Sequence, residues 1–207
     1  MAGSGTRGAY GDLFALPLGI KIPVGMQTFL FADLVGFTAL SLERGDEEAA
    51  DVATGFQRHV RSLADRYGLD VVKSLGDGAM LRAEDAASAV RLGVDLADGL
   101  DGLPPVRVGL NTGPAVERDG DYYGSTVNLA ARLSQAARGG EVLLSETTRA
   151  EARRGARLEP RGPRLLRSAR EPIVVYAASR RESLRVRLLA AKRRFLCPRM
   201  AARMRTA

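Results

Sequence analysis

The feature that most restricts this chain is a short apolar run, then a long helical stripe, then a glycine-aspartate-glycine turn. Thr28-Phe29-Leu30-Phe31-Ala32-Asp33-Leu34 is nearly continuous in apolar side chains, as expected of a strand covered on both faces. From Asp46 to Tyr67 the residues Ala49, Val52, Ala53, Phe56, Val60, Leu63 and Tyr67 recur at three- and four-residue spacing. That is the stripe of an amphipathic helix packed on a sheet, and Gly68 stops it. Residues 69–75 and 79–83 flank Gly76-Asp77-Gly78, which predicts a β-hairpin with Asp77 at its tip. A second helix is predicted over 86–100 and a strand over 105–110. Asn111-Thr112-Gly113-Pro114 reads as a turn and 115–117 as a short partner strand. The order β-α-β-β-α-β within 28–117 is that of a split βαβ, ferredoxin-like core of the α+β class.

Further elements follow the core. Residues 125–137 predict a helix capped by Ser125, 141–144 a strand ahead of a Ser145-capped helix, and 173–177 a closing strand. The expected organisation is a loosely ordered lead over 1–26, one domain over 27–179 and a basic tail over 180–207. At 207 residues there is material for one such domain with appendages. The apolar stretch 13–20 contains Pro17 and Gly19 and is far shorter than the ~20 residues of a spanning helix. It also lacks the flanks of a secretory signal. The single cysteine, Cys197, allows no internal disulfide, so the expected location is cytoplasmic.

The net charge of +7 would by itself point to nucleic acid or an anionic surface. Its distribution says otherwise. Residues 1–148 hold 13 basic and 20 acidic side chains, whereas 149–207 hold 18 basic and 4 acidic. Within 180–205 there are ten Lys and Arg and one Glu. Leu184, Leu188, Ala191 and Phe195 make a thin stripe there, surrounded by charge. A solvated extension is the expected reading, with a peripheral membrane-surface helix or an acidic partner as the alternative. No motif for reading base sequence is present, so no sequence-specific nucleic acid is expected.

Asp33 ends the first strand and Asp77 tips the hairpin, and in a split βαβ sheet the first strand lies beside that hairpin. The two carboxylates could therefore converge. With a backbone carbonyl and substrate phosphate oxygens they would make the all-oxygen environment that Mg²⁺ or Mn²⁺ prefers. A pair of such metals serves in-line phosphoryl chemistry. The plainer alternative is a strand end and an Asp-Gly turn.

Four segments carry more. Phe31-Ala32-Asp33-Leu34-Val35-Gly36-Phe37-Thr38, Lys73-Ser74-Leu75-Gly76-Asp77-Gly78, Arg107-Val108-Gly109-Leu110-Asn111-Thr112-Gly113 and Asp121-Tyr122-Tyr123-Gly124-Ser125-Thr126-Val127-Asn128-Leu129-Ala130-Ala131-Arg132 occur in that order. Together they resemble the catalytic domain of the class III nucleotide cyclases over residues 28–178. The resemblance implies an adenylate cyclase that turns ATP into 3′,5′-cyclic AMP and pyrophosphate. It implies two divalent cations, Mg²⁺ or Mn²⁺, at Asp33 and Asp77 with the Leu34 carbonyl. It also implies Lys73 and Asp121 on the adenine, Asn128 on the ribose, and Arg132 on the α-phosphate in the transition state. In such enzymes the site lies between subunits, so a head-to-tail homodimer is implied, with the metal aspartates from one copy and the other four residues from its partner.

The residue chemistry agrees without the family. Adenine offers an acceptor at its ring nitrogen and a donor at its amine, which a lysine and an aspartate complement, and guanine reverses both. Asn128 and Arg132 are i, i+4 on the predicted helix and project from one face. Two departures from the family stand out. Asn111 replaces a frequent histidine, with only a local hydrogen-bonding change expected. Arg167-Ser168 replaces a Lys-Gly pair whose lysine reaches the triphosphate, and Arg167 can bind phosphate as a fork. His59, the only histidine, reads as a boundary residue of its helix, and Tyr122 and Tyr123 as packing or dimer-contact residues. A non-catalytic module that senses nucleotide or docks a partner on the same fold is the alternative reading.

Overall fold

The computed structural model describes residues 26–152, 156–167 and 169–180. The predicted lead, Ser168, Cys197 and all of the basic tail after Arg180 lie outside the described residues. The elements in chain order are β1 (Gln27–Leu34), α1 (Phe37–Arg44), α2 (Asp46–Tyr67), β2 (Asp70–Leu75), β3 (Gly78–Ala83), α3 (Ala86–Ala97), β4 (Val106–Gly113), β5 (Val116–Arg118), β6 (Asp121–Tyr123), α4 (Ser125–Ala136), β7 (Val142–Ser145), α5 (Glu146–Glu151), β8 (Arg157–Arg164) and β9 (Ile173–Ser179). Among the described residues, no helix is long and apolar enough to cross a membrane.

Seven strands form one sheet in the order β2-β3-β1-β4-β7-β9-β8, antiparallel except for the β4–β7 pair. Its first four strands are the ferredoxin-like core expected from the sequence. One face is covered by α2 and α3. Their buried Phe56, Val60, Val90 and Leu92 meet Leu30, Leu81, Val108 and Leu110 from the strands. The opposite face carries α4, whose Val127 and Ala130 pack with Phe29, Met80 and Tyr122. Strand alternation explains the split, since neighbours such as Phe29 and Leu30 point to opposite sides.

Ala49, Phe56, Val60 and Leu63 of the predicted α2 stripe are buried and Val52, Ala53 and Tyr67 partly so, and the helix ends on Gly68 in the left-handed conformation, where a side chain would be strained. Several local expectations are corrected. Residues 111–113 continue β4, because their backbone pairs with Gln27, Thr28 and Phe29 of β1. The strand predicted after them exists as β5, but it pairs with β6 in a separate two-stranded sheet. Gly124, and not Ser125, is the residue before α4, and no side chain caps that helix. Three elements are not predicted from the sequence, β6 being the first. Helix α1 buries none of its residues. Strand β8 carries Pro160, Gly162 and Pro163, which a sheet tolerates only at its edge, where β8 lies.

The α3 cap makes a test of local energetics. Asp85 accepts from the amides of Ala87 and Ser88 at 3.2 and 2.9 Å and from the Ser88 hydroxyl at 2.6 Å. The hydroxyl bond first, then the amides, hold its carboxyl below the ordinary aspartate range. The unfolded chain therefore takes up the proton first, and this stabilisation is present at neutral pH and lost as pH falls through the lowered folded-state value. Asp85→Ala should cost about 1 kcal/mol at neutral pH. In urea titrations the difference from wild type should vanish in acid.

Candidate active site

Strand register brings the two carboxylates together. Asp33 pairs with Gly78 of β3 on one side and Arg107 of β4 on the other. Asp77 is thus one residue from Asp33's cross-strand partner. The Leu34 amide donates to the Asp77 carbonyl at 2.9 Å, and Gln57 of α2 clamps the turn by donating to the Gly76 and Gly78 carbonyls at 2.7 and 3.0 Å. Both carboxylates line one cavity of about 380 Å³. Burial, and then the charge of Asp33, push the Asp77 carboxyl above its ordinary range. A cation between the two groups would remove that cost.

The donor set fits a hard divalent ion. Two carboxylates and nearby carbonyls are oxygen ligands of the kind Mg²⁺ and Mn²⁺ take, with water and phosphate completing the shell. Among the described residues no group of three or more His, Cys, Asp or Glu is placed to hold a metal ion, so the side-chain share at this site is two carboxylates. That also suits ions shared with a phosphate substrate. Arg107 is the immediate counter-charge. Its Nε donates to Asp33 Oδ2 at 2.8 Å, and its Nη2 donates to the same oxygen.

Lys73 reaches its place through a β-bulge. Val71 pairs with Leu81 but Lys73 pairs with Met80, which leaves Val72 as the extra residue. Leu81 faces α2 and α3, whereas Met80 faces α4. The bulge therefore moves Lys73 to the α4 face, where its Nζ donates to both oxygens of Asp121 at 2.7 and 2.9 Å. Those residues are 48 apart in sequence. Asp121 heads β6 and also accepts from the Tyr122 amide at 2.8 Å. The lysine bond first, and the amide with it, hold the Asp121 carboxyl below its ordinary range. Tyr122 is buried against Phe29, and Tyr123 is exposed.

Asn128 and Arg132 lie one turn apart on α4, Asn128 exposed and Arg132 half-buried. With exposed Arg167 they line an open groove. Arg107, Arg132, Arg164 and Arg167 line an adjoining one of about 560 Å³. Among the described residues only Arg107 of these four has a carboxylate partner. Four guanidiniums against one carboxylate leave an excess of positive charge that could hold a multiply charged anion. Sequence reasoning passed over Arg107, Arg164 and Gln57 as site residues. Alternation along β4 puts residue 107 on the face of 109, but only the pairing with β1 shows that this is Asp33's face. Arg164 belongs to the unpredicted β8. His59, on α2, lines none of these cavities, and burial holds its imidazole below the ordinary range.

Residues 22–179 match the family described as the adenylate and guanylate cyclase catalytic domain. The chain is 36% identical over 110 residues to an adenylate cyclase of Streptomyces griseus, covering 52% of this chain and 28% of that protein. It is 34% identical over 172 residues to a pH-sensitive adenylate cyclase of Mycobacterium tuberculosis, covering 78% of this chain and 43% of the relative. The chain thus spans less than half the length of these curated relatives. Among solved structures it is similar to the adenylyl cyclase CyaB from P. aeruginosa, with TM-score 0.69 and 26% identity over 81% of this chain and 98% of that one.

Proposed function

The chain belongs to the adenylate and guanylate cyclase catalytic domain family, and we propose that it forms 3′,5′-cyclic AMP and pyrophosphate from ATP at sites shared by two copies of the chain. The observation that carries the choice of ATP is the Lys73–Asp121 pair. An ammonium only donates and a carboxylate only accepts, so the pair matches adenine's ring nitrogen and amine and mismatches guanine's carbonyl and ring N–H. In the free protein the two satisfy each other, and a nucleobase would part them.

The reaction forms a bond from the ribose 3′-oxygen to the α-phosphorus and breaks the bond to the departing pyrophosphate, while the hydroxyl proton leaves to solvent. Divalent cations held by Asp33, Asp77 and the Leu34 carbonyl would lower the pKa of the 3′-hydroxyl and neutralise the leaving group. Asn128 orients the ribose for in-line attack. Arg132, on the same face of α4, spreads the charge that builds on the α-phosphate oxygens. Arg164 and Arg167 hold the rest of the triphosphate. Two observations support a head-to-tail homodimer. The arginine groove is open to solvent, and exposed apolar side chains flank each half-site. These are Leu75, 70% exposed, beside Asp77, and the cross-strand neighbours Val116 and Tyr123, 37% and 53% exposed, beside Asp121. Apolar side chains at such positions call for a covering partner.

The test is a mass-resolved assay of the purified chain with ATP and Mn²⁺ or Mg²⁺, repeated with GTP in competition. Cyclic AMP with preference for ATP is the expected result. A verified dimer that binds ATP without forming cyclic product would make the chain a nucleotide-sensing module and overturn the proposal. A preference for GTP would overturn the reading of Lys73 and Asp121.

A further inference from the structure

Asn111 lies in β4 two residues beyond Gly109, is 5% exposed, and touches none of the groups assigned to the nucleotide. Both ends of its side-chain amide are engaged. Nδ2 donates to the Thr126 carbonyl of α4 at 2.9 Å, and Oδ1 accepts from the hydroxyls of Ser145 at 2.6 Å and Thr147 at 3.1 Å. A carbonyl can only accept, so the contact with Thr126 fixes which end of the amide carries the hydrogens. Ser145 is at the same time the cap of α5, accepting from the Thr148 amide at 3.2 Å. One buried side chain therefore ties the first turn of α4 to Ser145 and Thr147 at the start of α5.

The first turn of α4 depends on such ties. Gly124 supplies no side-chain cap, and besides Asn111 the cross-element side-chain bond there is the Thr126 hydroxyl donating to the Pro114 carbonyl. Thr126 is two residues from Asn128 and six from Arg132 on this 12-residue helix. We propose that Asn111 is a positioning residue, which fixes the start of α4 and through it the placement of Asn128 and Arg132. The inference rests on the proposed cyclase reaction for its catalytic consequence, and on the hydrogen bonds alone for its mechanical part. Misplacing a reacting group by about 1 Å is enough to cost on the order of a hundredfold in rate.

The experiment compares three variants of the full chain by kcat, KM for ATP, thermal midpoint and amide hydrogen exchange over residues 125–132. Asn111→Asp keeps both acceptances and sets a carboxylate oxygen against the Thr126 carbonyl. Asn111→Ala removes the tie without adding charge, and serves if the aspartate variant does not fold. Thr28→Val is the structural control. Thr28 bonds Thr112 at 2.8 Å at the far end of the same buried hydroxyl network and makes no side-chain bond to α4.

The Asn111 variants should lose about tenfold or more in kcat with KM little changed, and exchange over 125–132 should speed up by about tenfold. Thr28→Val should lower the thermal midpoint while kcat and exchange over 125–132 stay at wild-type values. Unchanged exchange in the Asn111 variants, or a kcat that merely follows the thermal midpoint in all three, overturns the positioning role. If the wild-type chain forms no cyclic nucleotide, the cyclase reading fails by itself, and the exchange measurement still decides what Asn111 does.

Discussion

Asp33→Ala and Arg132→Ala should each reduce cyclic AMP formation by on the order of a thousandfold, and an equal mixture of the two should recover about one quarter of the wild-type rate. The loss follows from the roles proposed above. Asp33 is one of two carboxylates on the metal cavity, and Arg132 is the guanidinium on the face of α4 that Asn128 shares. The recovery follows from geometry. If each site takes Asp33 from one copy and Arg132 from the other, a heterodimer has one intact site and one doubly damaged site. Random exchange makes about half of the dimers mixed, hence one quarter of all sites intact. A mixture as inactive as its components would mean that each site is built from a single chain. The thermal midpoint of Arg132→Ala should stay near wild type, because this half-buried side chain has no carboxylate partner among the described residues, and that of Asp33→Ala should fall by no more than about 4 °C for the lost pair with Arg107.

Gly109→Ala should be the most damaging glycine-to-alanine change among the described residues. Gly109 of β4 lies directly beneath α4. A β-carbon there would stand 2.6 Å from the Leu133 carbonyl carbon and closer still to the Ser134 amide nitrogen and the Ala130 carbonyl oxygen. All three are backbone atoms of α4, so no side chain can turn aside to make room, and the helix itself must lift. A cost of at least about 3 kcal/mol is expected, a large part of the stability of a domain this size. Differential scanning calorimetry should show the midpoint lowered by roughly 6–12 °C. Gly93→Ala on the other face of the sheet is the contrast. Its β-carbon would meet the ends of the Val108, Leu30 and Leu110 side chains at 3.2, 3.4 and 3.5 Å. These can yield by a few tenths of an ångström, and alanine favours helix over glycine by about 1 kcal/mol. The Gly93 variant should therefore stay within about 1 kcal/mol of wild type and keep its activity. A Gly109 variant as stable as the Gly93 variant would mean that α4 does not rest on β4 as closely as described.

The parts of the fold that were legible in the sequence are those with a strong period and a clean stop. Helix α2 has the bounds predicted from its stripe and from Gly68, and the Asp77 turn sits where the Gly-Asp-Gly triplet put it. The parts that were not legible are stabilised by pairing. Strand β8 reads as loop because its prolines forbid a central strand, and it exists because β9 offers an edge. Residues 111–113 read as a turn on composition, yet β1 is long enough to extend the pairing to its end at Gln27. Asn111 consequently moved from an expected strand-end turn to a buried crosslink within β4.

The candidate site divides in the same way. Asp33 and Asp77 could be picked from residue type and predicted topology, whereas Lys73, Asp121, Asn128, Arg132 and Arg167 were picked because the motifs that hold them resemble those of the class III cyclases. What the sequence by itself determined is the order of the βαββαβ core elements and this set of charged and polar side chains. Only the tertiary structure decided which of them meet. The bulge at Val72 turns Lys73 onto the α4 face, the β1–β4 register sets Arg107 against Asp33, and Gly109 lets α4 approach β4. The physical reason is that a strand has two faces and many registers. Local sequence fixes the alternation, but the face and the partner are settled by the energy of the whole sheet.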